Sequence, residues 1–264
     1  MKISILISSY NKGAYIEECL NSCLNQTYQD YEIILLDNYS NDNTDIILEK
    51  YSKKIIIKKE TKISDNSAAN QLDLLKKAFL ISSGEILCFL DADDYFEDNK
   101  LEDINRIFSQ NRKTNIVFDK PSILINNNLH NFKLKKKFSK YIWPTTHPTS
   151  SISIKRIFLK TFFEDITSKS YPLLEIDFRI TCLSKMINKN FIVSDKRMTT
   201  YRKVSDGIMS RSKFLSKVWW IKRLQAHYFI NDILKINKMV YKKNYDFYLT
   251  KFIVNLLKKF LIKS

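Results

Sequence analysis

The chain has 264 residues, 44% of them hydrophobic and 13% aromatic, which is enough apolar material for a full core and too much for a disordered polypeptide. Its formal charge of +16 is uneven, because +11 falls between Arg211 and Ser264, where 13 Lys and Arg face only Asp232 and Asp246. A uniformly basic nucleic-acid binder would not show that asymmetry, four cysteines in a chain this long do not make a disulfide scaffold, and no run reaches the ~18 apolar residues of a membrane span.

Residues 3–7 read as a strand that stops at Ser8 and Ser9. Ile16, Cys19, Leu20, Cys23 and Leu24 then recur at helical spacing, which makes Cys19 and Cys23 core residues rather than metal ligands. A second apolar run over 31–36 ends on Asp37, a polar loop follows over 38–43, and 44–51 reads as a helix. The run 54–57 supplies a third strand, 67–81 a helix that ends near Gly84, and 85–90 a fourth strand leading into Asp91, Ala92, Asp93 and Asp94. Strands alternating with helices predict an α/β fold with a doubly wound, mostly parallel, Rossmann-like sheet.

Beyond Asn111 the order loosens. Short strands are expected over 115–118 and 122–125, with a turn over 126–128 and a solvated basic run over 133–140. The Pro- and Thr-rich segment from Trp143 reads as an ordered loop before a strand, and 173–186 as a helix followed by a strand over 191–193. From Lys213 two helices are expected; in the second, Tyr245, Leu249, Phe252, Leu256, Leu257, Phe260 and Leu261 form an apolar stripe with lysines largely opposite.

Three polar clusters, Ser8-Ser9, Asp37-Asn38 and Asp91 to Asp94, each follow an apolar strand. In an open α/β sheet the crevice beyond the carboxyl ends of the strands is where ligands bind, so the three should converge on one site. Three aspartates at one strand end repel one another unless a cation neutralises them, and hard oxygen donors select Mg2+ or Mn2+ bridged to substrate phosphates. The bland reading is a loop and helix cap leading into the helix after Asp98 and Asn99. Only Gly13, Gly84 and Gly207 occur, so no glycine-rich loop cradles a phosphate, which argues against NAD enzymes and kinases.

The stretch ISILISSYNKGAYIEECLNSCLNQTYQDYEIILLDNYSNDNT, followed by SSGEILCFLDADDYF, resembles the family 2 inverting glycosyltransferases of GT-A fold, over roughly residues 2–100 and in the family's order and spacing. The resemblance implies a nucleotide-sugar site. In it Ser8, Tyr10 and Asn11 meet the nucleotide, Asp37 and Asn38 stand for the paired aspartates that recognise the base, and Asn70 lies on a further nucleotide-contacting helix. It also makes Asp91 and Asp93 the DxD, with Asp93 on the metal and diphosphate and Asp94 a close alternative ligand. Two departures stand out. Asn38 replaces a carboxylate, which weakens the preference for uracil without removing it, and no Arg precedes Asn70.

Inverting transfer needs a base for the acceptor hydroxyl, which the family places at the head of a late helix. YPLLEIDFRITCL is the stretch that fits, through Glu175 or Asp177. Aligning the helix favours Glu175, whereas a shift of one turn reverses the choice; two acids answering a helix dipole are the plain alternative. In YRKVSDGIMSR the family's late-loop His position is Val204, which leaves Arg202 or Lys203 to meet phosphate, while His147 is either an acceptor contact or structural.

The expected organisation is a transferase domain over 1–210, with 1–110 binding the donor and 111–210 the acceptor, and a basic amphipathic helical extension over 211–264. The expected reaction moves a sugar from a nucleotide-sugar, UDP-sugar favoured, to a glycan or lipid-linked acceptor in surface polysaccharide or lipooligosaccharide synthesis. Aromatics interleaved with lysines in the tail suit a membrane surface, or packing on the domain or on a second copy as a homo-oligomer. No signal-peptide layout is present, so a cytoplasmic chain, peripheral on the inner membrane, is expected. The rival expectations are a nucleotide-sugar binder without catalysis and, further off, a nucleic-acid binder; nucleic acid is not an expected partner.

Overall fold

A computed structural model describes residues 1–132, 146–165, 170–187, 189–204 and 213–261. The first four strands are β1 (Ile3–Ser9), β2 (Tyr31–Asp37), β3 (Ile56–Lys59) and β4 (Ile86–Asp91). They alternate with helices α1 (Ile16–Leu24), α2 (Thr44–Glu49) and α3 (Ser67–Ile81). Next come β5 (Tyr95–Phe96), α4 (Lys100–Gln110), β6 (Ile116–Phe118), β7 (Ser122–Ile125), β8 (Asn128–Asn131), a 3-10 turn at Thr149–Ser151 and β9 (Ile152–Lys155). The chain ends with α5 (Arg156–Asp165), α6 (Ile176–Met186), β10 (Phe191–Val193), β11 (Thr199–Arg202), α7 (Lys217–Ile236) and α8 (Tyr245–Leu261).

The main sheet runs β10-β6-β9-β4-β1-β2-β3, and every pairing is parallel except the two that β9 makes with β4 and β6. Side-chain alternation sorts its two faces. Ile3, Ile5, Ile7, Ile33, Leu35, Cys88 and Leu90 pack with α1, α2 and α4, while Leu6, Ile34, Leu36, Leu87 and Phe89 pack with α3, α5, α6 and α7. Helices therefore cover both faces, as the alternating pattern predicted. All four cysteines are buried thiols, Cys19 and Cys23 in the core under α1.

A second sheet, β5-β11-β7-β8, was not foreseen. β7 matches the strand expected over 122–125, but β5, β8 and β11 are only two to four residues long, and β11 pairs with β7 and β5 across large sequence separations, so no local periodicity announces those strands or the sheet. The expected turn is the tip of a β7–β8 hairpin, with Asn126 and Asn127 at φ 48° and 62°, where asparagine is tolerated. Helix α5 was also missed, α6 starts three residues later than expected, and β3 is an exposed edge strand shifted two residues along.

α7 buries Ala226, Phe229, Ile230, Ile233 and Leu234 in the same core as Leu174, Ile176 and Phe178. α8 then packs Phe247 and Val254 against Leu224 of α7. Among the described residues no helix is long and apolar enough to cross a membrane. The basic run 133–140, the start of the Trp143 loop through 145, and residues 205–211 with Gly207 lie outside the described residues.

Candidate functional site

The parallel register aligns the three polar strand ends. Ser9 lies opposite Asp37 and Ser8 opposite Asp91, so the carboxyl ends of β1, β2 and β4 share one rim. A cavity of about 660 Å3 opens there. Ser8, Tyr10, Asn11, Asn38, Asn70, Asp91 and Asp93 line one side. Glu175 and Asp177, some 80 residues away in sequence, line it as well, together with Tyr201, Arg202 and Val204. The tertiary fold thus gathers nine of the predicted residues around one space.

Asp37 and Asp94 do not line it. The Asp37 carboxylate is fully buried and accepts hydrogen bonds from the Ser40 amide at 2.7 Å and the Ser40 hydroxyl at 2.6 Å, closing the loop after β2. The same Ser40 oxygen accepts from the Asn11 amide at 2.7 Å, and the Asn41 amide donates back to Asn11 Oδ1 at 2.9 Å. Asn11 itself sits at φ 53°. Ser40 is therefore the tie between two rim loops, a role the residue type alone does not announce. Asp94 accepts from the Ser150 hydroxyl at 2.5 Å and the Arg202 amide at 2.7 Å. These bonds fix the orientation of both carboxylates, and each oxygen keeps a second lone pair.

Asn70 and Asn38 are partly committed in the same way. Asn70 Oδ1 accepts from the amides of Ile63 and Ser64 at 3.0 and 3.1 Å, and its Nδ2 donates to Ser64 O at 2.7 Å, folding the loop before α3. Asn38 Nδ2 donates to Glu60 O at 2.9 Å. In that loop Lys62 places its ammonium 3.2 Å from the Tyr10 ring centroid, so a cation covers the ring that faces the cavity.

Of the strand-end cluster, Asp91 and Asp93 are the acids that line the cavity. Burial, followed by the negative charge of Asp93, raises the Asp91 carboxyl to about 7, although Gln71 Nε2 donates to it at 2.6 Å. Asp93 Oδ2 lies 2.8 Å from Lys12 Nζ. Burial, then the charges of Asp93 and Asp91, pushes Asp94 well above the carboxylate range. Burial and mutual repulsion thus both oppose ionisation of Asp91 and Asp94. Among the described residues no three acidic, His or Cys side chains converge on a preformed metal position. Two carboxylates facing a cavity suit a hard divalent cation that takes its other ligands from phosphate and water.

Beneath the cluster lies a support that periodicity did not reveal. Lys100, in the first turn of α4, has no exposed side-chain surface and donates to Asp119 Oδ2 at 2.7 Å, Ser150 O at 2.7 Å and Thr199 Oγ1 at 2.6 Å. Ser150 in turn donates to Asp94 and accepts from the Asp91 amide at 3.0 Å. A helix-start lysine reads as solvent-facing; only the fold buries it. Lys100→Met is expected to leave Asp119 as a buried, unpaired charge and to cost about 3–5 kcal/mol of stability, measured by urea unfolding.

Glu175 occupies the N-cap position of α6 and Asp177 its first turn, and both line the cavity. Glu175 is 7% exposed and pairs with Lys222 of α7. Asp177 has no ion pair of its own among the described residues, and burial followed by the Glu175 charge raises it to about 7. Tyr201 is held firmly protonated by burial and by the acids of the cluster. Arg202 donates from Nε to Asp93 O at 3.0 Å and pairs with Glu18. His147 does not line the cavity; it is 3% exposed, bonds Asp119 O through Nδ1 at 3.0 Å and stacks on Phe118.

A family model described as "Glycosyl transferase family 2" matches residues 4–167. An uncharacterized glycosyltransferase of Nostoc is 36% identical over 41% of this chain and 33% of its own length. A poly(ribitol-phosphate) beta-glucosyltransferase of Bacillus spizizenii is 41% identical over 38% of this chain. The chain spans a third or less of the length of these two relatives. Among solved structures, Staphylococcus aureus TarS 1–349 in complex with UDP is similar at TM-score 0.63 and 20% identity, covering 89% of this chain and 66% of that one. The mannosyltransferase of Pyrobaculum calidifontis in complex with GDP-Man and Mn2+ is similar at TM-score 0.58 and 15% identity, covering 93% and 66%.

Proposed function

Because the chain belongs to glycosyl transferase family 2, we propose that this cavity transfers one sugar, with inversion, from a nucleotide-diphosphate donor to a hydroxyl of a glycan or lipid-linked acceptor. The observation that carries the reading is the meeting of strand-end acids Asp91 and Asp93 with helix-head acids Glu175 and Asp177 around one cavity. One set is placed to bind a charged donor and the other to move a proton.

The donor's base and ribose fit the rim formed by Ser8, Tyr10, Asn11 and Asn38. Lys62, now over Tyr10, is positioned either to yield that ring to a base or to answer a phosphate. Asp91 and Asp93 are the residues that would hold Mn2+ or Mg2+, Asp93 foremost; Asp94, with both oxygens bonded to Ser150 and Arg202, supports them from behind. When bound, the cation neutralises the charge that develops on the departing diphosphate. Lys12, beside Asp93, brings a further positive charge to the same place. The solved mannosyltransferase with Mn2+ and the TarS complex with UDP support this chemistry by likeness of fold.

Asp177 is the better base than Glu175, reversing the order that alignment alone favoured. A base has to give up its proton near the working pH and accept one from the substrate. Asp177, raised to about 7 beside the cavity, meets that requirement, whereas the Glu175 carboxylate is engaged by Lys222. The test is release of nucleoside diphosphate from a panel of UDP-, GDP-, CMP- and dTDP-sugars with and without Mn2+. Turnover of one donor is expected, with UDP-sugars first; no release from any of them would remove the enzymatic reading.

The divisions at 1–110, 111–210 and 211–264 remain part of this proposal, as does attachment to a membrane. α8 turns Phe247 and Val254 inward and leaves Tyr245, Tyr248, Leu249, Phe252 and Leu256 exposed, at i, i+3, i+4, i+7 and i+11 of one face. Lys242 and Lys243 lie just before α8 and Lys251 within it, and an exposed apolar face on a basic segment suits anionic lipid headgroups over an apolar layer and would place the protein on the cytoplasmic membrane surface. Phe252→Glu is expected to weaken sedimentation with phosphatidylserine vesicles about tenfold while leaving turnover of a soluble donor unchanged.

A further inference from the structure

The loop that carries Glu175 is gripped by α7 along a single helical stripe. Lys222 pairs with Glu175, Gln225 Oε1 accepts from the Leu173 amide at 3.0 Å, Phe229 meets the Tyr171 ring edge-on at 5.9 Å, and Asp232 accepts from the Tyr171 hydroxyl. These positions, i, i+3, i+7 and i+10, share one face of the helix. From the other side Arg179 of α6, fully buried, donates to Leu174 O at 3.0 Å, Ser170 O at 2.8 Å and Tyr171 O at 2.7 Å. Loop 170–175 is thus clamped between two helices, and the clamp ends on a buried ammonium beside the acid pair.

The geometry points to Lys222 as a positioning residue for the transfer step: its ammonium engages Glu175 and leaves Asp177 as the acid that takes the acceptor's proton. This rests on the assignment of Asp177 as base. It also makes α7 part of the catalytic unit, although α7 lies in a segment that reads as a basic appendage.

The titratable groups facing Asp177 come from four elements besides its own. They are Glu175 on the clamped loop, Lys222 on α7, Asp91 on β4 and Tyr201 on β11; Arg179 and Cys182 share α6 with it. Glu175 and Asp91 oppose ionisation of Asp177, and Lys222 favours it. Without the ammonium, two buried acids would share one proton between them, and Asp177 would ionise later.

The test is the titration of Asp177 in the full-length protein by side-chain carboxyl carbon NMR, its signal assigned by its loss in Asp177→Asn. No donor is needed. Lys222→Met is expected to raise the Asp177 midpoint by about one pH unit and to lower turnover at neutral pH about tenfold, and Lys222→Arg should restore both. Glu175→Gln, with Lys222 retained, should move the midpoint down by about one unit, and it provides the test should Lys222→Met fail to fold. A Lys222→Met midpoint equal to wild type, or a Glu175→Gln midpoint that stays in place or rises, overturns the proposal. Undiminished turnover in Asp177→Asn would instead overturn the base assignment, whatever the titration shows.

Discussion

Asp93→Ala is expected to lower metal-dependent release of nucleoside diphosphate by about a thousandfold, the scale of losing one electrostatic contact to a charge that develops during bond cleavage. Asp93 is a good position for this test because it faces the cavity and is not knitted into the support beneath it. Its Oδ2 contacts Lys12, whereas Asp94 bonds Ser150 and Arg202 and Asp37 bonds Ser40. The variant should therefore fold, with a melting temperature near that of wild type, and should lose the stabilisation that Mn2+ plus donor confers in a thermal-shift titration. Asp94→Ala makes the contrast. It removes two bonds under the cluster, so its loss of activity should come with a loss of stability. If Asp93→Ala kept wild-type turnover and metal response, the donor-site assignment would be wrong.

Asp177→Asn is expected to reduce kcat by about 10^2 to 10^4, the range for removing a general base, while donor affinity stays within a fewfold of wild type. The amide has nearly the shape of the carboxylate but cannot accept a proton at neutral pH. In wild type the base works only when deprotonated. Since Asp177 is raised to about 7, kcat should fall as pH drops through 7 and level off above it. Glu175→Gln should keep measurable turnover with that acidic limb displaced. A limb unchanged in Asp177→Asn would assign it to another group, and undiminished kcat would return the base role to Glu175.

Two local rules made much of the architecture legible. Strands β1, β2 and β4 are apolar runs that turn polar where the chain leaves the sheet, because both faces are covered by helices and only the ends meet solvent. The helices between them show the 3.6-residue period of a buried face, α1 through Ile16, Cys19, Leu20 and Cys23. Those features predicted the order of elements and the convergence of Ser8, Asn38, Asp91 and Asp93. Short strands such as β5 and β11 escaped notice, since two to four residues carry no period and gain their pairing from partners distant in sequence.

The strand-end acids and the lack of a glycine cradle pointed to a ligand crevice, and the motif order over residues 2–100, through its resemblance to family 2 glycosyltransferases, supplied the expected reaction and directed attention to the later acid pair. They could not say which carboxylates face the cavity and which are consumed in holding it. Asp37, Asn70 and Asp94 look like ligand contacts when read in line; in the fold Asn70 lines the cavity while also holding the Ser64 loop, and Asp37 and Asp94 lie off it, bonded to Ser40 and to Ser150 and Arg202. Glu175 and Asp177 stand two residues apart, and alignment of the helix alone favoured Glu175. Lys222, 47 residues beyond Glu175, makes them different by bringing a buried ammonium to one and not the other. Charge and solvation depend on what lies within a few ångströms, and for a side chain those neighbours are chosen by the tertiary fold.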